Sequence, residues 1–272
     1  CSLSSMSETI QPMTLSFSFI DDGDAQAVPV VFLHAFPYHS GMWEAQREGL
    51  KGHARFIAFD VQGAGTRSQD GTAYMLEHVV DDWLALLDHL EIETCVLAGL
   101  SMGGYVALRA VARAPERVRG LILANTQAGA DSDAAKLGRA EGLRVLRRGG
   151  AAAFVAAQIA KQLSPHTQAT LPALSKQLLS LASGATEGGV AASLVAIATR
   201  SDHTASLRDI AVPTLLIAGA DDVVTPPALL QVLADHIPGA TLHVLAGAGH
   251  LSNLEAEAEF TRLVIAFLAE LA

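Results

Sequence analysis

The sequence predicts an α/β fold: a mostly parallel sheet with helices on both faces. Half of the 272 residues are hydrophobic and only 17% are charged, which is enough apolar material for one large core. Short runs rich in Val, Ile and Leu alternate with segments whose apolar residues recur every three or four positions, as strands and helices do. Residues 126–208 interrupt this alternation, so we expect one core domain that carries an insertion.

The predicted strands differ in how polar residues are spread along them. LSFSFI, Leu15–Ile20, alternates polar and apolar residues as a half-exposed strand does. Six other runs are almost continuously apolar, which indicates strands buried on both faces, as in a parallel sheet. These runs are Val28–His34, Arg55–Asp60, Thr94–Leu100, Gly120–Asn125, Thr214–Gly219 and Thr241–Ala246.

Helical periodicity separates these strands along the chain. The predicted core helices are Met75–Leu90, Met102–Arg113, Pro226–Ile237 and Glu255–Leu271. The insertion holds no strand-like run, and its punctuation by Gly and Pro predicts three or four short helices. Because ligands bind at the carboxyl edge of parallel sheets, we expect residues 126–208 to form a helical lid on a core of residues 14–125 and 209–272.

Charge and hydropathy exclude several classes of protein. The formal net charge of −10 argues against a partner rich in phosphate, so no nucleic acid is expected. No run of 18 apolar residues is present, so we expect no membrane association and a cytoplasmic protein. Cys95 lies within an apolar run and is expected to be a buried free thiol, not a partner of Cys1. Cys1 is consistent either with a remnant that precedes a native start at Met6 or with the first residue of a mature lipoprotein. The oligomeric state is left open, with a homo-oligomer as one option.

The stretch LAGLSMGGYVAL places Ser101 between Gly99 and Gly103, directly after a predicted strand and before a predicted helix. The pattern G-x-S-x-G is weak by itself, but a sharp strand-to-helix turn holds a serine hydroxyl above the edge of a sheet. Glycines suit such a turn because it leaves no room for side chains. Ser101 is therefore the candidate nucleophile.

A serine hydroxyl needs a base to accept its proton, and the base needs an acceptor that orients it. Asp221 and Asp222 follow one predicted strand, and His250 follows the next. Loops that leave the carboxyl ends of parallel strands meet at one edge, so these side chains can approach Ser101. The residues alone leave both aspartates as candidates.

Four motifs together resemble the α/β-hydrolase superfamily, from about Leu15 to Leu271. They are the serine motif, D-x-x-T-P at Asp222–Pro226, G-x-G-H at Gly247–His250, and His34–Pro37 in place of H-G-x-P. Within the superfamily the chain looks like the small-lid group of 3-oxoadipate enol-lactonases, cofactor-free haloperoxidases and short-chain carboxylesterases. The resemblance implies the α/β-hydrolase fold, Asp222 as the acid, and an oxyanion hole formed by the backbone N–H groups of Phe36 and Met102.

The chain departs from the pattern of this group in three places. Ala35 stands where glycine is usual, and Asp60–Arg67 lacks the arginine and serine of D-x-R-G-x-G-x-S. The insertion contains no tryptophan or tyrosine, and Phe154 is its single aromatic residue. The insertion therefore gives no support to an enol-lactonase in particular.

These residues predict a serine hydrolase that cleaves small carboxylic esters or lactones through an acyl-enzyme on Ser101, with His250 as base. C–C bond hydrolysis, perhydrolysis or a lyase reaction on the same triad are alternatives, as is a ligand receptor without catalysis. The expected lining of the substrate pocket is Phe36, Met102, Asn125, Leu143, Phe154 and Ile159. His34 is placed at the same pocket, where we expect it to hold the oxyanion loop through hydrogen bonds, with contact to substrate as the alternative. Arg139, Arg144, Arg147 and Arg148 could reach a substrate carboxylate, but a solvated helix face is the expected place for them.

No cofactor and no metal are predicted. The other histidines lack metal-ligand spacing such as H-E-x-x-H. The glycine-rich turns lack the lysine of a P-loop and are too short for a dinucleotide fingerprint.

Overall fold

A computed structural model of the chain describes residues 17–271. Within that range seven strands form one sheet in the order β1-β3-β2-β4-β5-β6-β7. The strand β1 pairs antiparallel with β3, and every other pair is parallel. The strands are β1 (Phe19–Asp22), β2 (Pro29–Leu33), β3 (Arg55–Phe59), β4 (Cys95–Leu100), β5 (Val118–Ala124), β6 (Thr214–Gly219) and β7 (Thr241–Leu245).

The four core helices that the periodicity predicts are present, together with two short helices, residues 44–49 and 252–255, that were not predicted. In chain order, the helices are α1 (Glu44–Gly49), α2 (Leu76–His89), α3 (Met102–Arg113), α4 (Asp133–Gln162), α5 (Pro165–Thr170), α6 (Pro172–Leu181), α7 (Glu187–Ala198), α8 (Pro227–His236), α9 (Ser252–Glu255) and α10 (Glu257–Leu271). Short 3-10 helices cover Ser40–Trp43, Gly65–Arg67, Pro115–Arg117 and Thr204–Asp209.

Alternate residues of each central strand enter two different cores. In β2, Val31 and Leu33 pack in a cluster with residues of α2, α3 and α8, whereas Val30 and Phe32 pack in a cluster with residues of α10. Burial on both faces explains why the central strands are continuous apolar runs. The predicted α/β-hydrolase fold, with helices on both faces of the sheet, is confirmed.

The two edge strands differ from their predictions. The run at Thr241 was expected to be buried on both faces, but β7 has one neighbouring strand, and Val244 is 50% exposed. The alternating run that starts at Leu15 becomes β1, which begins at Phe19; Leu15 and Ser16, like Cys1, lie outside the described residues. Edge strands lack one flanking strand, so their hydropathy does not report burial as it does in the centre.

The segment between β5 and β6 contains helices and loops but no strand, and its first helix is longer than predicted. The helix α4 covers 30 residues and is interrupted at Gly150, where φ is 76° and ψ is 175°. Three shorter helices, α5 to α7, follow it. A four-residue cluster of Leu146, Phe154, Val190 and Leu194 joins α4 to α7, so this segment has an apolar core of its own.

Two further features concern individual residues and helix lengths. Cys95 is a fully buried free thiol, as predicted, and burial raises its pKa to about 12. Across residues 17–271, no helix combines the length and the apolar character that crossing a bilayer requires.

Candidate active site

Ser101 occupies a strained turn between β4 and α3. Its φ is 56° and its ψ is −113°, a backbone conformation that residues with a side chain rarely adopt. A Cβ atom on Gly99 would collide with the carbonyl oxygen of Gly103, and one on Gly103 would collide with that of Leu33. Both glycines are therefore required by backbone contact, and the turn presents the Ser101 hydroxyl at the carboxyl edge of the sheet.

Two other loops bring a histidine and an aspartate to this hydroxyl. His250 Nε2 lies 2.9 Å from Ser101 Oγ, and His250 Nδ1 lies 2.8 Å from Asp222 Oδ2. All three side chains are buried or nearly so, with Ser101 9% exposed as a residue. Three loops that follow different strands thus bring Ser101, His250 and Asp222 within hydrogen-bond distance of one another.

The hydrogen bonds fix which ring nitrogen of His250 carries the proton. A carboxylate can only accept, so the hydrogen bond with Asp222 requires a proton on Nδ1. The neutral ring then has a lone pair on Nε2, which faces the Ser101 hydroxyl. In this tautomer, His250 is oriented to accept the serine proton.

Asp222 accepts hydrogen bonds on both carboxylate oxygens. Oδ2 accepts from Asn125 Nδ2 at 2.8 Å and from Thr225 Oγ1 at 2.7 Å, in addition to His250. Oδ1 accepts from the backbone N–H groups of Val224 at 2.7 Å and Thr225 at 3.0 Å. Burial by itself would raise the pKa of this carboxyl, but its hydrogen bonds outweigh burial and hold the pKa below the ordinary value. Asp222 is therefore an ionised acceptor at neutral pH.

Asp221, the other candidate aspartate, is placed differently. Its side chain is exposed, and its backbone N–H donates to Ala248 O at 2.9 Å. The structure thus separates two adjacent carboxylates, and only Asp222 faces His250.

Phe36 and Met102, the predicted oxyanion-hole residues, both have an unused backbone donor. Among the hydrogen bonds of residues 17–271, neither the Phe36 N–H nor the Met102 N–H donates to a protein acceptor. Met102 follows Ser101 as the first residue of α3, where N–H groups lack a partner within the helix. Phe36 belongs to the loop that follows β2, residues 34–39, here called the Phe36 loop.

Ala35 fits the Phe36 loop despite standing in place of glycine. The residue is fully buried, and its φ does not lie in the left-handed region. Its N–H donates to Met42 Sδ at 3.2 Å, and its carbonyl accepts from the Tyr38 N–H at 2.9 Å. The methyl group is therefore accommodated, and both backbone groups of Ala35 are hydrogen bonded.

His34 anchors the base of the Phe36 loop. Its Nε2 accepts from the Val61 N–H at 3.0 Å, so its Nδ1 carries the proton and donates to Ala35 O at 3.1 Å. Burial lowers the pKa of His34, which keeps the ring neutral. Asp60, next to Val61, accepts from the N–H groups of Ser40 and Thr66, both at 2.8 Å. Thr66 thus makes contacts with the aspartate in a loop that lacks the usual arginine and serine.

A small cavity is lined by Phe36 and Met102, whose backbone N–H groups have no protein acceptor. His34, Phe36 and Met102 line it, and α7 supplies Val190 and Ser193. The remaining lining residues are Pro37, Tyr38, Gly63, Ala64, Ala185 and Gly189.

Four residues that were expected in the pocket do not line this cavity. Asn125 is fully buried behind Asp222, where its amide donates to Asp222 and to Gly249 O at 3.1 Å. Phe154 packs behind Phe36, with ring centroids 6.0 Å apart, and Leu143 borders the same cluster. Ile159 belongs to the apolar cluster that contains Val30, Phe32 and residues of α10. The wall comes from α7 and not from α4, because α4 turns its apolar side into these cores.

The sequence analysis missed Val190, Ser193 and Gln162. The sequence of α7 is apolar on every face of the helix, a pattern that indicates a helix buried on all faces. Gln162 ends α4 and is 5% exposed, but no feature of the sequence distinguishes it from a solvated glutamine.

The arginines of α4 do not reach the cavity. Arg139 pairs with Asp131 at 3.1 Å, and Arg144 pairs with Glu141 at 2.7 Å. Arg147 and Arg148 are exposed, as expected for a solvated helix face. No Lys or Arg lines the cavity. Between residues 17 and 271, no three His, Cys, Asp or Glu side chains are grouped to hold a metal ion.

Comparison with known proteins agrees with this geometry. The α/β-hydrolase fold family matches residues 28–257. The 3-oxoadipate enol-lactonase 2 of Acinetobacter baylyi is 30% identical over 266 residues, covering 96% of each chain.

Solved structures show the same similarity. A thermophilic esterase from Thermogutta terrifontis superposes with a TM-score of 0.87 and 32% identity, over 94% of this chain and 93% of the esterase. The enol-lactonase from Burkholderia xenovorans LB400 gives a TM-score of 0.85 and 28% identity, over 93% and 96%. The chain belongs to the α/β-hydrolase family and is a hydrolase of that family.

Proposed function

We propose that the protein is a serine hydrolase that cleaves small, uncharged carboxylic esters or lactones through an acyl-enzyme on Ser101. The observation that carries this proposal is the continuous hydrogen-bonded series from Ser101 Oγ through His250 to Asp222, with distances of 2.9 and 2.8 Å. The similarity to an esterase and to enol-lactonases supports the same class of substrate.

In the first half of the reaction, His250 Nε2 accepts the Ser101 proton as Oγ attacks the carbonyl carbon. Asp222 stabilises the imidazolium that forms, because its buried carboxylate accepts from Nδ1. The charge that develops on the carbonyl oxygen is stabilised by the N–H groups of Phe36 and Met102, which have no other acceptor. Return of the proton from Nε2 to the leaving oxygen releases the alcohol, or opens the lactone.

In the second half, a water molecule replaces the alcohol. His250 accepts its proton, hydroxide attacks the acyl carbon, and collapse of the second tetrahedral intermediate restores the Ser101 hydroxyl. The same two N–H groups serve both intermediates, since the oxygen occupies one position in each.

The cavity beside Phe36 supports the restriction to small and uncharged acyl groups. The cavity is small, and its lining is mostly apolar without a Lys or Arg side chain. Burial of an unpaired carboxylate is costly, so a charged acyl group would bind weakly there. We further propose that residues 126–208 act as a lid, because α7 of this segment contributes Val190 and Ser193 to the lining of the cavity.

Turnover of p-nitrophenyl acetate, butyrate and octanoate by the native chain and by Ser101→Ala tests this proposal. We expect rates that fall with acyl length and that drop to background in Ser101→Ala, with an unchanged circular dichroism spectrum. The p-nitrophenyl monoester of succinic acid should be hydrolysed more slowly than the butyrate ester. Equal rates in both proteins would refute the assignment of the nucleophile.

Inactivity of folded native protein toward all esters would favour one of the alternatives. Three assays distinguish the other reactions of such a triad. They measure cleavage of β-diketones for C–C hydrolysis, peracid formation for perhydrolysis, and turnover of lyase substrates. Tight binding of a ligand without turnover would identify a receptor.

A further inference from the structure

Gln162, the last residue of α4, makes hydrogen bonds to two loops of the candidate active site. Its Nε2 donates to Phe36 O at 3.2 Å, and its Oε1 accepts from the Tyr38 hydroxyl at 2.5 Å. Its own backbone carbonyl accepts from the His250 N–H at 2.7 Å. One residue of the inserted segment thus contacts both the Phe36 loop and the loop of residues 246–251, here called the His250 loop.

From these contacts we infer that Gln162 is a positioning residue, which aims the Phe36 N–H at the oxyanion and ties the Phe36 loop to the His250 loop. The inference rests on the proposed function, because it concerns the stabilisation of a tetrahedral intermediate at Ser101.

The pattern of hydrogen bonds distinguishes Gln162 from a side chain that only fills the core. Burial of a glutamine costs more side-chain entropy than burial of an aliphatic residue, so an apolar residue would suffice for packing. Instead, both ends of the amide are bonded, and both partners belong to the Phe36 loop. Burial raises the pKa of Tyr38, so its hydroxyl stays protonated and can donate to Oε1.

Among the backbone polar groups of Ala35 and Phe36, only the proposed donor, the Phe36 N–H, lacks a hydrogen-bond partner in the protein. The N–H and the carbonyl of Ala35 are both bonded within the loop region, and Gln162 holds the carbonyl of Phe36. The Phe36 N–H is left without a protein acceptor. Loss of the Gln162 amide would free the Phe36–Pro37 peptide, whose carbonyl Gln162 holds. Rotation about the bonds at the Phe36 Cα would then change the orientation of the neighbouring Ala35–Phe36 peptide, whose N–H is the proposed donor.

The contact with the His250 loop has a separate support. Ser164 Oγ donates to Gly247 O at 2.6 Å, and Glu255 accepts from the N–H groups of Ser164 at 2.8 Å and Leu251 at 3.0 Å. These bonds, like the backbone carbonyl of Gln162, remain when the side chain of Gln162 is changed. A substitution of Gln162 therefore tests only the contacts between its side chain and the Phe36 loop.

The test compares Gln162→Met with Gln168→Met. Methionine keeps the length of the side chain and removes both polar ends. Gln168 is a matched control, because it belongs to the same segment and its amide also donates to backbone carbonyls, those of Ala160 and Leu163, but not to either loop. For Gln162→Met we expect kcat for p-nitrophenyl butyrate to fall at least tenfold with KM within twofold, and no change for Gln168→Met.

A second measurement separates positioning from general loss of structure. A butyl trifluoromethyl ketone adds to an active-site serine and mimics the oxyanion, so its inhibition constant reports the alignment of the donors. We expect this constant to rise in Gln162→Met by the same factor by which kcat/KM falls. An unchanged constant, or an equal loss of kcat in Gln168→Met, would overturn the inference.

Hydrogen exchange measured by mass spectrometry does not depend on the reaction. We expect peptides covering residues 34–43 to exchange faster in Gln162→Met than in the native chain and in Gln168→Met. If the native chain shows no Ser101-dependent turnover, the proposed function fails while this comparison still decides the positioning role. Equal exchange in all three proteins would refute that role.

Discussion

The His250 loop and the Phe36 loop lie at the same edge of the sheet but are fixed in different ways. His250 follows β7, Asp222 follows β6 and Ser101 follows β4. The position of each triad side chain is therefore set mainly by the strand that precedes it. The Phe36 loop follows β2 and is held by side chains from elsewhere, including Met42 and Gln162. Both loops also contact the insertion, the His250 loop through the Gln162 backbone carbonyl and Ser164, and the Phe36 loop through the Gln162 side chain. The triad side chains thus depend mainly on the sheet, whereas the Phe36 loop depends more on the side chain of Gln162.

This difference assigns separate consequences to changes on the two sides. A change at the base side should impair proton transfer directly, with a large loss of rate. A change at the oxyanion side should act through the orientation of one peptide group, with a smaller loss of rate or a change in stability.

The largest effect is expected for Asp222→Asn. An asparagine amide can donate to His250 Nδ1, which would place the ring proton on Nε2 and leave no lone pair for Ser101. We expect kcat for p-nitrophenyl butyrate to fall roughly 10⁴-fold, as it does when the tautomer of a catalytic histidine is wrong. Steady-state kinetics on the folded variant measure this loss.

Asp221→Asn is the matched control for Asp222→Asn. It removes the same charge one residue away, from an exposed side chain that does not face His250. Its kcat should stay within about twofold of the native value, the variation ordinary for a surface substitution. Similar losses in both variants would show that net charge at this loop, and not the hydrogen bond to Nδ1, determines the rate.

How much of the site could be predicted from the sequence follows the same division. Ser101, Asp222 and His250 each follow an apolar run within a short motif, so local sequence places them at one edge of the sheet. Gln162 is 126 residues from Phe36, and its contact depends on how a helix of the insertion packs. Helical periodicity predicts that such a helix exists but not where its last side chain lies.

Asn125 shows a second limit of prediction from sequence. It follows β5 at the correct edge of the sheet, which suggested a place in the pocket. Its φ of 44° and its bonds to Asp222 and Gly249 turn the side chain behind the site instead. Hydropathy and motifs report the edge at which a residue lies but not the direction of its side chain. The same limit explains why Val190 and Ser193, and not Leu143 or Ile159, line the cavity.

The smallest effect is expected at Asp60, on the oxyanion side. Burial by itself raises the pKa of this carboxyl, but hydrogen bonds from Ser40 and Thr66 to its ionised form outweigh burial, and the pKa is lowered to about 2. Because the folded-state pKa is lowered, the stabilisation is complete above the unfolded pKa and is lost as the pH falls from about 4 toward 2. It amounts to about 2 kcal/mol at most.

Asp60→Asn should remove this dependence on pH. We expect the free energy of unfolding in guanidinium chloride to fall less between pH 5 and pH 2.5 in the variant than in the native chain. The difference between the two proteins isolates Asp60 from the other carboxylates, which titrate in both. Parallel curves would mean that Asp60 does not stabilise the folded state through its ionised form.

The most direct test of the catalytic site is capture of the acyl-enzyme. The native chain is mixed with p-nitrophenyl butyrate, quenched in acid within the first turnovers, digested and examined by mass spectrometry. We expect one butyryl group on the peptide that contains Ser101 and none in Ser101→Ala. The butyrylated fraction should increase under conditions that slow hydrolysis of the acyl-enzyme. A butyryl group on a different residue, or steady turnover with no covalent species at any quench time in a chain whose deacylation is rate-limiting, would contradict an acyl-enzyme at Ser101.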